Sequence, residues 1–407
     1  MAEDEGQQPS ISRTLSDGDI PIFQGSEVTV TERPHLNFDG LQPNDDRLWF
    51  GAVAFEINGD AWVLEKFLNY GNEGQTYSAV QKSSGKRFAL KFCNNSKSRE
   101  VELVQKMPKK LVAHPNLVKY EMLVLNCYRQ FTPAHHVIFM EQVPNGELFD
   151  FVASAEVGVG KSVGEGTARR FLQDVIHGMA ECYRFGLTHR DLKPENLLLN
   201  EEGRIVIIDM GHAKVAPAPS PVAENGVPSS LPLGVPSPLP LVKTTTTNAY
   251  GTPAFNAPEA VGHKEYDCEA SDVWAVGVIA FVLHSKLPAF EQGAGVAKWS
   301  DISGEDNERF WQKITTNKFY PEFPDELRQF INALWRAVPE ERPTFGQLEL
   351  AISGDAETIS QYPRLQWLAQ PTNDIDTFAA ELRRALPNVV LTIGRPNSDS
   401  PPKAKRW

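Results

Sequence analysis

Short apolar runs, rich in β-branched and aromatic residues, dominate the chain between residues 49 and 92. Two of them, Trp49–Ile57 and Ala61–Leu68, flank the tripeptide Asn58-Gly59-Asp60, whose residues favour the tight turn of a β-hairpin. A further run, Phe88–Phe92, has the same character. The pattern therefore predicts a β-rich first region that contains a hairpin.

Helical spacing of apolar residues becomes dominant after residue 144. It is clearest over Gly166–Arg184 and Ala270–Leu283, and a shorter helix is predicted earlier, over Glu100–Met107. A β-like run, Leu197–Ile208, lies between the two long helices. The longest apolar run, Val273–Leu283, is too short to span a membrane and predicts a buried helix. The fold is predicted to be α+β, with a small β-rich N-lobe and a larger, mainly helical C-lobe.

Polar and proline-rich stretches mark the predicted segment boundaries. Val215–Lys243 holds eight prolines and only two charged residues, so residues 215–249 are predicted to be an insert without helix or central strand. One amphipathic stretch, Phe378–Leu386, is visible near the C-terminal end. The predicted segments are a disordered tail (1–45), an N-lobe (46–143), a C-lobe (144–353) and a C-terminal tail (354–407).

The charge balance restricts the classes of partner. The 407 residues include 40 basic and 52 acidic side chains, a net charge of −12. Nucleic acids and anionic membranes select basic surfaces, so neither is expected as the main partner. Four cysteines without paired spacing favour a reducing compartment over a disulfide framework. The N-terminal residues lack the basic and apolar regions of a signal peptide, so a cytoplasmic protein is expected, with the nucleus as the alternative.

Two features of the β-rich region are compatible with phosphate binding. Gly71 and Gly74 lie in a hairpin, where backbone N–H groups approach phosphates that a Cβ atom would hold away. Lys91 ends a strand and is followed by an acidic helix, in which Glu100 is its expected partner. A plain turn and a solvated lysine are the alternatives for each feature taken alone.

The strongest chemical signal is His189–Asn196, together with Asp209 in Ile207-Ile-Asp-Met-Gly211. Phosphoryl transfer needs an acceptor for a hydroxyl proton, which Asp191 can supply. It also needs oxygen ligands for Mg²⁺, which Asn196 and Asp209 can supply. Lys193 adds a positive charge near the transferring phosphate. The run predicts a phosphotransferase.

The chain resembles a eukaryotic protein kinase of the serine/threonine type over residues 62–350, with some likeness to the calcium/calmodulin-dependent kinases. Besides the motifs above, the resemblance rests on Gly251–Glu259, Ser271–Trp274 and Glu341–Pro343. It implies the bilobal protein kinase fold, with ATP and Mg²⁺ as cofactors and proteins as substrates. Glu259 and Arg342 match a buried, structural ion pair of the large lobe.

The resemblance also implies roles for individual residues. Lys91 and Glu100 match the ion pair of the active state, and Asp191 matches the catalytic base. Lys193 and Thr252 match the pair that marks serine/threonine specificity. The implied nucleotide-binding residues are Asn69, Gly71, Gly74, Thr76, Ala89, Lys91, Met140, Glu141 and Val143.

Some positions depart from the family pattern. Asn69 replaces a glycine, Thr76 replaces a valine, and Met210 replaces the phenylalanine beside the metal-binding aspartate. The proline-rich insert falls within the activation segment. A pseudokinase that binds nucleotide or partners without transferring phosphate is therefore the alternative to an active enzyme. The retained lysine, base and metal-binding aspartate favour the enzyme.

Regulation and substrate choice give further expectations. Arg190 matches an arginine that pairs with a phosphate on the activation segment, and Thr247 is the expected acceptor for an upstream kinase; a plain linker is the alternative. Glu147 matches a carboxylate that binds an arginine three residues before the phosphorylated residue, and Glu195, beside Asn196, can approach the same guanidinium. The alternative is that Glu147 caps the following helix. A calmodulin-type regulator at Phe378–Leu391 is not favoured over a helix packed on the large lobe.

Overall fold

The computed structural model describes residues 20–32, 54–71, 73–107, 111, 113–127, 134–154, 163–216, 244–248, 250–261, 265–286, 323–386 and 388–393. The chain divides into two compact units. Unit 1 comprises residues 1–97 and 120–140, and unit 2 comprises 98–119 and 141–407. The units alternate along the sequence, whereas the sequence pattern predicts one boundary after residue 143.

In the described part of the chain, unit 1 is organised around an eight-stranded sheet. Its strands are β1 (Ile22–Gln24), β2 (Val28–Glu32), β3 (Ala54–Ile57), β4 (Asp60–Gly71), β5 (Gly74–Gln81), β6 (Arg87–Cys93), β7 (Tyr120–Leu125) and β8 (His136–Glu141). Their order across the sheet is β1-β7-β8-β6-β5-β4-β3-β2. The predicted hairpin is confirmed, because Asn58 and Gly59 join β3 to β4 with φ of 53° and 77°. Residues 49–53 of the first predicted run lie outside the described residues.

The prediction of a disordered tail over residues 1–45 is wrong for residues 20–32. β1 pairs in parallel with β7, and β2 pairs antiparallel with β3. The apolar side chains Phe23, Val28 and Val30 pack against the core of unit 1. These short strands gain their stability from partners that are distant in sequence, so a local pattern does not reveal them.

Unit 2 is mainly helical. Its helices are α1 (Arg99–Val104), α2 (Leu148–Ser154), α3 (Glu165–Arg184), α4 (Pro258–Val261), α5 (Cys268–Ser285), α6 (Asp325–Leu334), α7 (Phe345–Ile352), α8 (Ala356–Gln361) and α9 (Ile375–Ala385). The two long helices confirm the predicted spacing. By length and composition alone α5 could cross a membrane, but 89% of it is buried within the protein, as expected of a core helix.

In the described part of unit 2, the loops contain three pairs of two-residue or three-residue strands and several short 3₁₀ turns. β10 (Leu197–Leu199) pairs antiparallel with β11 (Ile205–Ile207), in place of the continuous run predicted over 197–208. The other short strands are β9 (Leu187–Thr188), β12 (Lys214–Val215), β13 (Thr245–Thr246) and β14 (Tyr266–Asp267). Predicted helix 100–107 ends at Val104. Most of the proline-rich insert lies outside the described residues.

The segment predicted to be a C-terminal tail is folded into unit 2 up to Ile393. Trp367, in the 3₁₀ helix Pro363–Ala369, is buried and stacks on Phe330 with ring centroids 5.0 Å apart. On α9, Phe378 and Leu382 are fully buried, and Phe378 contacts Phe171 of α3. The apolar face of α9 therefore completes the core of unit 2, so the amphipathic stretch is a packed helix.

Candidate active site

The glycine-containing hairpin lies between β4 and β5. Gly74 has φ of 154°, and a Cβ atom there would lie 1.8 Å from the Phe92 carbonyl oxygen, so only glycine fits against β6. A Cβ atom at Gly71 would meet no protein atom within 4 Å. Gly74 therefore has a packing role, whereas Gly71 faces open space.

A row of predicted nucleotide-binding residues crosses the sheet of unit 1. Asn69 pairs with Thr76, and Thr76 pairs with Lys91, so the three side chains share one face. Ala89 lies on the same face, two residues before Lys91. The lysine is buried, with 8% of its surface exposed. The structure therefore brings four of the predicted residues together.

The remaining nucleotide-binding candidates lie on β8 and the chain that follows it. Met140, on β8, is buried. The Glu141 amide donates to the Lys119 carbonyl at 2.9 Å. The Val143 amide makes no hydrogen bond within the described residues. Glu100, in the first turn of α1, is fully buried and belongs to unit 2, whereas Lys91 belongs to unit 1.

Asp191 is the centre of a hydrogen-bond network in unit 2. Its Oδ1 accepts from the Thr252 amide at 2.8 Å and from Thr252 Oγ1 at 3.0 Å. Its Oδ2 is 2.9 Å from Lys193 Nζ and accepts from Asn196 Nδ2 at 3.1 Å. Lys193 also donates to Thr252 Oγ1 at 2.8 Å. Four predicted residues from two separate motifs thus form one cluster.

Buried hydrogen bonds fix the backbone at the start of His189–Asn196, the predicted catalytic loop. The Asp191 amide donates to His189 Nδ1 at 3.2 Å, so the neutral ring carries its proton on Nε2 and donates to the Ile208 carbonyl at 3.0 Å. Asp272 accepts from the amides of His189 and Arg190, both at 2.8 Å. Arg190 has φ of 66°, a conformation that these bonds hold in place.

Asp272 belongs to the Ser271–Trp274 motif, and the sequence pattern did not assign it a role. In the structure it holds this loop in place through its two hydrogen bonds to the loop backbone. It lies on α5 and is fully buried, and burial raises its pKa to about 6. The signal in the sequence is a pair of acidic residues, Glu269 and Asp272, near the start of a strongly apolar helix. His189 is a second positioning residue that the sequence pattern did not separate from its neighbours.

Asp209 follows β11 and begins the 3₁₀ helix Met210–His212 with φ of 59°. Its Oδ1 accepts from the Gly211 amide at 3.3 Å. Met210 is 2% exposed and fills the apolar position expected of the family's phenylalanine. The Ile208 amide donates to the Asn196 carbonyl at 3.0 Å. Asp209 directly follows Ile208, so this bond places the backbone segments of the two predicted metal ligands side by side.

Three carboxylates lie close together near α2. Burial raises the pKa of Glu147, and the like charges of Asp150 and Glu195 raise it further, while Lys193 lowers it. The Glu195 Oε2 atom is buried without a hydrogen-bond partner in the described part of the chain. Asp150 is a member of this group that the sequence pattern did not single out.

Four consecutive threonines, at positions 244–247, precede the Gly251-Thr252 turn and differ in their exposure. Thr244 and Thr246 are buried, and the Thr245 hydroxyl donates to Glu265. Thr247 is exposed. Arg190, the expected partner of a phosphate, donates through Nε to the His212 carbonyl at 2.9 Å.

Comparison with known proteins identifies the family. The protein kinase domain family matches residues 62–350. Serine/threonine-protein kinase SRK2C of Arabidopsis thaliana is 30% identical over 71% of this chain and 74% of its own length. Serine/threonine-protein kinase SAPK2 of rice is 29% identical over 71% of this chain and 75% of its own.

The CBL-interacting kinases match less of their own length. CBL-interacting serine/threonine-protein kinase 12 of Arabidopsis thaliana is 29% identical over 70% of this chain and 51% of its own. The chain thus spans about half of this relative. Family profile, relatives and catalytic cluster agree: the chain belongs to the eukaryotic protein kinase family and is of its serine/threonine type, whose enzymes use ATP with Mg²⁺.

Proposed function

We propose that this chain is an active enzyme that transfers the γ-phosphate of ATP to serine or threonine hydroxyls of proteins. The supporting observation is the network around Asp191, whose carboxylate accepts from the Thr252 amide and hydroxyl, from Asn196 and from Lys193. Donors on both oxygens fix the orientation of the carboxylate, which is what a general base requires.

In the proposed reaction, Asp191 accepts the proton of the acceptor hydroxyl while the hydroxyl oxygen bonds to the γ-phosphorus. The bond between that phosphorus and the β,γ-bridging oxygen breaks, and ADP leaves. Lys193, 2.9 Å from Asp191 Oδ2, stabilises negative charge on the transferring group. Thr252 positions both residues, because its hydroxyl accepts from Lys193 and donates to Asp191.

Asn196 and Asp209 are the proposed Mg²⁺ ligands. The Asn196 Nδ2 atom donates to the Asp191 backbone and side chain, so its Oδ1 atom is left for a cation. An amide oxygen and a carboxylate suit Mg²⁺. When bound, the ion would neutralise charge on the nucleotide phosphates.

The row on the sheet of unit 1 supports the proposed nucleotide contacts. Gly71 leaves space for close approach of a phosphate, and the Val143 amide, which has no hydrogen bond among the described residues, suits recognition of adenine. Asn69 can donate a hydrogen bond through its side-chain amide, so it is compatible with a nucleotide contact. The proposed nucleotide-binding residues are Asn69, Gly71, Gly74, Thr76, Ala89, Lys91, Met140, Glu141 and Val143.

Calorimetric titration with ATP and Mg²⁺, combined with detection of phosphopeptide, tests this proposal. We expect binding and transfer in the wild type, and binding with transfer reduced at least about 100-fold in Asp191→Asn. Binding without transfer in both proteins would support a pseudokinase instead. Met210, which fills its apolar position, favours the active enzyme.

We further propose that the enzyme prefers arginine three residues before the phosphorylated residue. Burial raises the pKa of Glu147, the like charges of Asp150 and Glu195 raise it further, and a guanidinium would relieve that repulsion. It would also supply a donor for the unpartnered Glu195 Oε2 atom. The proposed contact is therefore a charge-assisted one between this acidic group and the substrate.

A positional peptide array tests the preference. Glu147→Gln should weaken selection of arginine at that position, whereas Glu202→Gln, an exposed glutamate in the turn before β11, should not. Absence of an arginine preference in the wild type, or an unchanged preference in Glu147→Gln, would overturn the substrate assignment.

Regulation by phosphorylation of Thr247 is the last part of the proposal. Thr247 is exposed, and an upstream kinase could reach its hydroxyl. Mass spectrometry of the active enzyme should find phosphate there, and full activity of a chain with alanine at all four positions 244–247 would exclude the switch. We propose no calmodulin-type regulator at α9, because its apolar face is buried in unit 2.

A further inference from the structure

Three basic side chains of unit 2 converge on Tyr250, the residue before the Gly251-Thr252 turn. The Tyr250 hydroxyl accepts from Arg99 Nη2 at 2.6 Å. The guanidinium carbons of Arg99 and Arg190 lie 4.4 and 4.5 Å from the centroid of its ring. The His212 ring lies 5.6 Å from it.

Each residue that contacts Tyr250 is close in sequence to a residue with a predicted role in phosphate transfer. Arg99 precedes Glu100 on α1, and Arg190 precedes Asp191. His212 lies in the short 3₁₀ helix that Asp209 begins. Tyr250 therefore touches three separate segments, each of which carries a residue proposed to act in phosphate transfer.

The aromatic ring also compensates the charge of the two arginines. Neither guanidinium pairs with a carboxylate anywhere in the described ranges. A guanidinium over an aromatic ring is attracted to the negative face of the ring. Without the ring, the two guanidinium groups would lose a shared partner, and the strained Arg190 backbone would lose this support. The segments that carry Arg99 and Arg190 would then be free to move apart.

We infer that Tyr250 is a positioning residue for phosphate transfer, which holds α1, the catalytic loop and the segment after Asp209 together without a phosphate group. The inference rests on the proposed kinase activity and adds a way to maintain it. The enzyme should therefore have substantial activity before Thr247 is modified. A small error in the position of reacting groups can reduce turnover about 100-fold, so the effect should appear in kcat.

The test uses the full chain after phosphatase treatment, with kcat and KM measured for wild type, Tyr250→Phe and Tyr250→Leu. Tyr250→Leu should lower kcat by about 10- to 100-fold with KM for the peptide changed far less. Tyr250→Phe keeps the ring and should lie between the two. Tyr362→Phe is the matched control and should match wild type, because among the described residues the hydroxyl that it removes accepts from Gln347 alone.

A double-mutant cycle separates positioning from general damage. Arg99→Met should lower kcat in the wild-type background and add little in the Tyr250→Leu background, because the two residues act through one contact. Equal kcat in wild type, Phe and Leu variants, or additive effects in the cycle, would overturn the inference. An inactive wild type would instead remove the proposed function, so the two failures are distinguishable.

Discussion

The Thr252 hydroxyl connects two charged groups, because it donates to Asp191 Oδ1 at 3.0 Å and accepts from Lys193 Nζ at 2.8 Å. Thr252→Ala removes both contacts and leaves only the backbone bond to Asp191. Loss of a hydrogen bond to a charged group costs about 1.5–3 kcal/mol, so we expect kcat to fall by about 10- to 100-fold. Steady-state kinetics with a peptide substrate measures this fall in kcat.

Thr252→Ser is the matched control for that variant. Serine keeps the hydroxyl, so its kcat should remain within about threefold of wild type, well inside the loss expected for one charge-assisted hydrogen bond. Similar activity in the alanine and serine variants would contradict the role of the hydroxyl.

The ion pair between Arg342 and Glu259 should dominate the electrostatic stability of unit 2. Arg342 has a side chain with no exposed surface and contacts Glu259 through two bonds of 2.5 and 2.9 Å. Arg342→Met leaves the carboxylate without its partner, which costs about 3–5 kcal/mol when the site is buried. Urea denaturation measures the free energy of unfolding.

An exposed pair provides the comparison for Arg342→Met. Arg87 and Glu65 are 2.9 Å apart, with 59% and 35% of their side chains exposed. Arg87→Met should therefore change the free energy of unfolding by no more than about 1 kcal/mol. Equal losses in the two variants would refute the distinction between buried and exposed pairs.

The C-terminal helix α9 should be required for stability. Phe378→Ala removes a fully buried ring that contacts Phe171, at an expected cost of about 3–5 kcal/mol. Ile375, on the same helix, is 41% exposed, and Ile375→Ala should cost less than about 1 kcal/mol. If Phe378→Ala unfolds as the wild type does, α9 is not part of the core.

Asp272 should make stability depend on pH. Its pKa rises from 3.8 in the unfolded chain to about 6 in the folded one, because it is fully buried. Between these values the folded state binds more protons, so this contribution to stability falls as pH rises through the window. From pH 5 to pH 7 the wild type should lose about 1 kcal/mol relative to Asp272→Asn, which does not titrate.

Paired denaturant titrations at pH 5, 6 and 7 measure that difference. A constant difference between the two proteins would show that Asp272 does not change its protonation in this range. Burial raises the pKa of Asp272, and the hydrogen bonds from the two backbone amides lower it. The same experiment reports which of these effects is larger.

The long helices and the catalytic loop were predictable from sequence because each depends on local information. Apolar residues on α3 repeat at helical spacing over 20 residues, and those in register are fully buried: Phe171, Leu172, Val175, Ile176 and Met179. His189–Asn196 places several reactive groups within one short motif. Such features need no knowledge of distant residues.

Contacts between distant segments were not predictable. β1 and β2 depend on β7 and β3, and their own short runs resemble ordinary polar sequence. Arg99 and Tyr250 are 151 positions apart, and neither belongs to a motif that names the other. Only the folded chain brings such groups together, so positioning residues are the part of the site that a sequence pattern leaves out.

The most direct test of the account measures transfer of labelled γ-phosphate from ATP to a peptide with arginine three residues before its serine. The comparison includes wild type, Lys91→Met, Asp191→Asn and Asp209→Ala, each checked for wild-type thermal unfolding. We predict phosphoserine in the wild type and a rate at least about 100-fold lower in every variant. Absence of transfer by the folded wild type, or undiminished transfer by Asp191→Asn, would contradict it.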